Sequence, residues 1–180
     1  MLILTALLSI VFGWLGGGRL AHFERAGLRL LWLPMLSLLL QRVYLRWWTL
    51  LLSYGLLLLF LWFNRRLRLT ALLTGAGSLC NLLVIALNGF RMPVSRADLA
   101  LLSEAGAADL LAGRIPMYAA ETAATRLPFL GDVLYLPLPL VGGFASVGDV
   151  LMAAGVFCCL MAVMEPPRFR GLWSRGRRQD

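Results

Sequence analysis

The sequence predicts an all-α integral membrane protein: five transmembrane helices, with an extracytoplasmic helical and proline-rich cap between helices 4 and 5. Three observations carry this expectation. Of 180 residues, 60% are hydrophobic and the mean hydropathy is +0.79, well above a soluble domain, whose apolar share is about half. Charged residues make up 14% of the chain and gather between apolar runs, as a bilayer demands because a charge at its centre is costly. Six of the nine acidic residues, Asp98, Glu104, Asp109, Glu121, Asp132 and Asp149, fall in one long interruption, 88–149.

The expected organisation is a single membrane domain over 1–180. Its spans lie at about 1–18, 28–45, 47–63, 69–89 and 147–164, with an outer cap at 90–146 and a basic tail at 165–180. The first run, MLILTALLSIVFGWLGGG, has neither a basic start nor a small-residue cleavage site, so it reads as an uncleaved span. Gly13 and Gly17 form a GxxxG pair, which permits close helix approach or marks a frayed end. The linker that follows carries Arg19, Arg25 and Arg29 against Glu24.

The second run is just long enough to cross at about 1.5 Å per residue, with Pro34 near its start. Arg42, Tyr44, Arg46, Trp47 and Trp48 then read as an interfacial turn of snorkelling arginines and headgroup-level rings. The third run stops at Asn64, Arg65, Arg66 and Arg68.

The fourth differs from these three in carrying a polar stripe. Thr74, Ser78, Asn81 and Asn88 share one side of a 3.6-residue helix. Polar groups in lipid need partners, so this face should point into the bundle, as interhelical hydrogen bonding or as a wall facing a ligand or ion.

Within the cap, Ser95 and Asp98 resemble a capping box that starts a short helix ending near Gly106, and a second short turn closes at Gly113. Pro128, Pro137 and Pro139 forbid a continuous helix after Thr125, while the apolar content argues for an extended strap over the bundle mouth. Ser146 and Asp149 repeat the capping-box pattern before the fifth span, where a carboxylate also meets the positive end of the helix dipole. Asp132 reads as a turn-former, as an ion pair with Arg126 or Arg91, or as part of a candidate polar site made by Asn81, Asn88, Arg91, Asp132 and Asp149. Such a site would take acid–base chemistry or bind a hard cation through oxygen.

All 17 basic residues are arginine, distributed three, two, three, four and five over the successive connections and the tail. The positive-inside rule then places the N-terminus and the cap outside and the C-terminus in the cytoplasm. No basic groove with interleaved aromatics suggests nucleic acid. The three cysteines, Cys80, Cys158 and Cys159, fall within spans and form no CxxC pair. His22 is the sole histidine, so no imidazole zinc site is expected. No metal or cofactor is expected.

Three blocks stand out: Asn88-Gly-Phe-Arg-Met-Pro-Val-Ser95, Thr125-Arg-Leu-Pro-Phe-Leu-Gly-Asp132 and Phe144-Ala-Ser-Val-Gly-Asp-Val-Leu151. On these the chain resembles an uncharacterised bacterial family of small polytopic integral membrane proteins, a domain of unknown function. The Gly17-Gly18-Arg19 exit from the first run is similar too. Where that family carries Asn-Gly-Gly before Met-Pro, this chain has Asn88-Gly-Phe-Arg, so no role is carried over for the second glycine. The resemblance implies a fold unit in the bacterial cytoplasmic membrane and supplies no reaction.

No catalytic constellation stands out. The expectation is a non-enzymatic accessory or scaffold subunit that binds a membrane partner or lipid through its cap. The alternatives are a small transporter or channel subunit using the Thr74-to-Asn88 stripe, and a membrane-embedded enzyme acting on a lipid-like substrate at the outer face.

Overall fold

A computed structural model describes residues 2–20, 26–43, 46–137 and 143–167. The linker residues His22, Glu24 and Arg25, the turn residue Tyr44, the strap residue Pro139 and the five tail arginines lie outside the described residues.

Five apolar helices are built on the five expected runs: α1 (Leu2–Leu15), α2 (Trp32–Val43), α3 (Trp47–Phe63), α4 (Arg68–Leu87) and, after the cap, α6 (Val147–Met164). Two of them, α4 and α6, are long and apolar enough to cross a membrane. The expected 28–45 span is shortened: Leu30 takes a left-handed φ of +57°, the helix starts only at Trp32, and its 12 residues rise about 18 Å. The helices of the first and third runs, with 14 and 17 residues, are also below the two long ones.

The packing pairs are α4 with α6, α1 with α6, α2 with α3 and α3 with α4. Small residues set the tightest approach, because Cβ atoms added at Gly77 and Gly148 would run into the facing helix backbone, and one at Gly155 would meet Thr74. Gly13 abuts Met161 and Met164, and the Phe12 and Phe157 rings stand 5.7 Å apart, so α1 runs alongside α6 in the same direction. Gly17, by contrast, lies past the end of α1 at a φ of +83° against Pro167. Only the first glycine of the GxxxG pair therefore serves helix approach.

The arginine-bearing connections meet at one end. Asn64 is buried and holds the Arg29 backbone from both sides, accepting from its N–H at 2.9 Å and donating to its carbonyl at 2.8 Å. The Arg66 guanidinium donates to the Ala26 and Gly27 carbonyls, and the Arg19 N–H donates to Met164 O at 3.1 Å.

The cap corrects the all-α expectation. It contains a four-stranded sheet in the order β2-β1-β3-β4, formed by β1 (Met92–Val94), β2 (Tyr118–Ala120), β3 (Asp132–Leu136) and β4 (Gly143–Ser146). β1 is parallel to β2 and β3, and β3 is antiparallel to β4. A 3₁₀ helix, Arg96–Leu101, and α5 (Glu104–Leu111) make the crossover from β1 to β2. Such short strands are hard to read from sequence, and Pro93 argued against one, since proline lacks a ladder donor. β1 tolerates it because its pairing with β3 is reduced to the Val94–Asp132 bridge. All three residues of β1 are buried, and Met92 packs with Leu50, Tyr54, Val84 and Ile85 over the ends of α3 and α4.

Two cap assignments change. Ser95 precedes the 3₁₀ helix but makes no side-chain cap bond, so the expected Ser95–Asp98 box is not formed. The cap belongs to Ser103, whose hydroxyl accepts from the Gly106 N–H at 3.1 Å. Gly106 accordingly lies inside α5 and does not end a helix. Gly113, at a φ of +69°, does close the turn that follows α5.

Candidate functional site

The third sequence block behaves as expected and then reaches further. At the start of α6 the Asp149 N–H donates to Ser146 Oγ at 2.9 Å, and the Ser146 N–H donates to Asp149 Oδ2 at 3.1 Å, completing a capping box. Asn81 of α4 joins both partners: its Nδ2 donates to Asp149 Oδ1 at 2.9 Å, and its Oδ1 accepts from Ser146 Oγ at 2.8 Å. Both carboxylate oxygens of Asp149 and both ends of the Asn81 amide are thus engaged. Asn81 and Ser146 are buried, at 3% and 0% exposed, and Asp149 is half-buried.

Asp132, at the start of β3, borders this node and is 4% exposed. Its Oδ1 has no hydrogen-bond partner among the described residues, and no ion pair with Arg126 or Arg91 is present among them either, so the expected pairing is not made. Burial first, and then the charge of Asp149, push its carboxyl up to about 7. Tyr118 of β2 is 41% exposed, and its phenol is raised by the partial desolvation that remains, then by Asp132 and Asp149. Tyr54 of α3 completes the surroundings beside Asn81.

Asn88 and Arg91 are elsewhere. Asn88 Nδ2 donates to the Val84 carbonyl at 2.7 Å and the Arg126 carbonyl at 2.8 Å, while its Oδ1 accepts from the Arg126 N–H at 2.9 Å. It fastens the first sequence block to the second. The five-residue site expected from sequence therefore divides: Asn81, Asp149 and Asp132 come together with Ser146, Asn88 becomes a structural clasp, and Arg91 lies on the rim of a separate pocket lined by Trp47, Gly89, Phe90, Pro116 and Met117.

The rest of the polar stripe is packed. Ser78 donates to the Thr74 carbonyl at 2.7 Å and contacts Met152 Sδ at 3.5 Å, facing α6. The earlier spans are not free of buried polar groups, since Thr49, Ser53 and Tyr54 are buried on α3. Their signal was the four-residue step from Thr49 to Ser53, with Tyr54 next to it, within an otherwise leucine-rich run. Tyr118 carried no signal, because it is brought to the carboxylates by the β1–β2 pairing.

Among the described residues, no group of three or more His, Cys, Asp or Glu could hold a metal ion. What the arrangement offers is one carboxyl that binds a proton near neutrality, beside a second that stays fully hydrogen-bonded.

These features define a mostly helical protein with two helices long and apolar enough to cross a membrane, closed at one end by a small mixed sheet. A family model matches residues 27–161, and the chain belongs to that family, DUF5317, a family of unknown function. No curated protein and no solved structure matches the chain.

Proposed function

We propose that the protein is a multi-pass component of the bacterial cytoplasmic membrane that crosses five times, N-terminus outside and C-terminus inside, and acts as a non-enzymatic accessory or scaffold whose outer cap binds a membrane partner or a lipid. The observation that carries the cap reading lies on the segment from the second 3₁₀ helix, Pro128–Leu130, into β3. There Phe129 is 62% exposed, and Leu134 and Tyr135 are exposed as well. The cap keeps large apolar side chains outside although its neighbouring polar groups are fastened inward, the pattern of a contact surface.

The orientation is supported by Arg19, whose N–H meets the end of α6, and by Arg29 and Arg66, which lie where the first connection meets the end of α3; both are the helix ends away from the cap, consistent with the positive-inside rule. Lipid contact is supported by exposed Leu7, Met35, Leu38, Leu72 and Leu79 along the helices.

The test is photocrosslinking in intact membranes, with p-benzoylphenylalanine in place of Phe129 or, as control, of exposed Ala123. A defined adduct at 129 and none at 123 is expected; a folded protein that yields no adduct at either position ends the contact reading. Labelling of Ala123→Cys by an impermeant maleimide in intact cells checks the orientation.

A second reading rests on Asp132. An unpartnered buried carboxyl near a second carboxylate suits an enzyme acting by acid–base chemistry on a lipid-like substrate at the outer face. Asp132→Asn would then abolish turnover without lowering yield. A transport path along the α4 stripe has less support, because Ser78 and Asn81 are engaged with α6 and its cap.

A further inference from the structure

We infer that the pocket between Trp47 and the turn from α4 into β1 binds the phosphate of an anionic phospholipid headgroup. This deepens the proposed cap function and rests on the reading of α3 as a membrane crossing. Trp47 is the first residue of α3 and 56% exposed, with Trp48 exposed beside it. Tryptophans at the outer end of a crossing helix sit at headgroup depth, and that is where the pocket opens.

The volume is about 320 Å³, at the small end of ligand sites, which run from about 300 to 1,000 Å³. It suits a headgroup, and the acyl chains would continue along the exposed Leu51 and Leu52 of α3. The walls match in chemistry. Trp47 and Phe90 stand 5.7 Å apart at 44°, Pro116 and Met117 are apolar, and Arg91 supplies the cation. Of the other cap arginines, Arg96 donates to the Glu121 carbonyl at 2.9 Å, Arg114 donates to Asp109 at 2.7 Å, and Arg126, held through its backbone by Asn88, is not part of the pocket lining. The Arg91 side chain has no hydrogen-bond or ion-pair partner among the described residues and lies against Gly113, where a Cβ would come 3.3 Å from its Nη1. A guanidinium so placed matches the forked acceptors of a phosphate.

The backbone is also held for this shape. Gly89, Phe90 and Met117 all take left-handed φ values, +66°, +62° and +64°. In the two non-glycine residues that conformation is strained and persists where the surroundings enforce it, as at ligand clamps.

The experiment places the full chain in nanodiscs of phosphatidylcholine with and without phosphatidylglycerol and counts retained lipid by native mass spectrometry. Phosphatidylglycerol retention is expected to fall about fivefold in Arg91→Gln, the factor for losing one arginine contact near a membrane surface, and to stay unchanged in Arg114→Gln. Trp47→Leu should lower retention of both lipids. Arg91 is exposed, so the melting temperature of Arg91→Gln should equal that of the wild type. Retention in Arg91→Gln equal to wild type overturns the inference. Displacement of the lipid by excess inorganic phosphate also overturns it, assigning the site to the free anion. If retention is unchanged while the Phe129 adduct persists, the lipid site fails and the cap reading stands.

Discussion

Asn81 on α4 and Asp149 on α6, 68 residues apart in the chain, are joined by a 2.9 Å hydrogen bond that locks the last helix to the fourth. The same amide accepts from Ser146, so one side chain holds a helix cap from outside the helix. Asn81→Leu would leave the buried Ser146 hydroxyl proton without its acceptor and Asp149 Oδ1 without its donor. The expected loss is about 2–4 kcal/mol, read as a lower melting temperature in detergent, whereas Asn88→Leu should leave the α4–α6 contact intact. Equal melting of Asn81→Leu and wild type would show that the node contributes little.

Gly148 adjoins that bond. An added methyl there would stand 2.6 Å from Gly77 O and overlap Asn81. Gly148→Ala should therefore part α4 from α6 and cost about 1–3 kcal/mol, while Gly55→Ala, where nothing lies within 4 Å, should be neutral or slightly stabilising in mid-helix. Thermal melts of the two variants side by side decide this.

Asp132 makes stability depend on pH in a defined direction. Its carboxyl is raised from 3.8 to about 7 in the folded chain, so between those values the folded state holds a proton that the unfolded state has lost. Stability is then greatest below the unfolded value and declines as pH rises to about 7, by on the order of 4 kcal/mol at most. Wild type should melt lower at pH 8 than at pH 5. Asp132→Asn should flatten that difference and be the more stable protein at pH 8. A wild-type profile rising over this range would refute the assignment.

Asn64 ties the α1–α2 connection to the end of α3 through the Arg29 backbone. Asn64→Ala removes both bonds and a third to the Phe60 carbonyl, costing about 1–3 kcal/mol. The sensitive readout is trypsin cleavage after Arg29, expected to accelerate in the variant and not in Arg65→Gln.

Much of this architecture was legible. Arginine clusters and apolar runs located five helices, α6 to the residue, because hydropathy responds to continuous composition. The Ser146–Asp149 box was legible since capping is local. The sheet was not: strands of three to five residues show little periodicity, and β1 contains a proline. The site was legible in half. Helical spacing placed Asn81 on the right face, but which of Asn88, Arg91 and Asp132 would meet it depended on the path of the cap. Phe90 has a physical reading only in the fold, since at a φ of +62° it occupies a position that glycine would take without strain.

Ser146 is both the final residue of β4 and the cap of α6, so no linker separates the sheet from the last long helix. Pairing of β4 with β3 and packing of α6 on α4 are therefore joined through a single residue, with no slack between them. The last helix thus carries the strand that covers one side of β3, and a displacement of α6 that drew β4 away would leave an unpaired strand edge there.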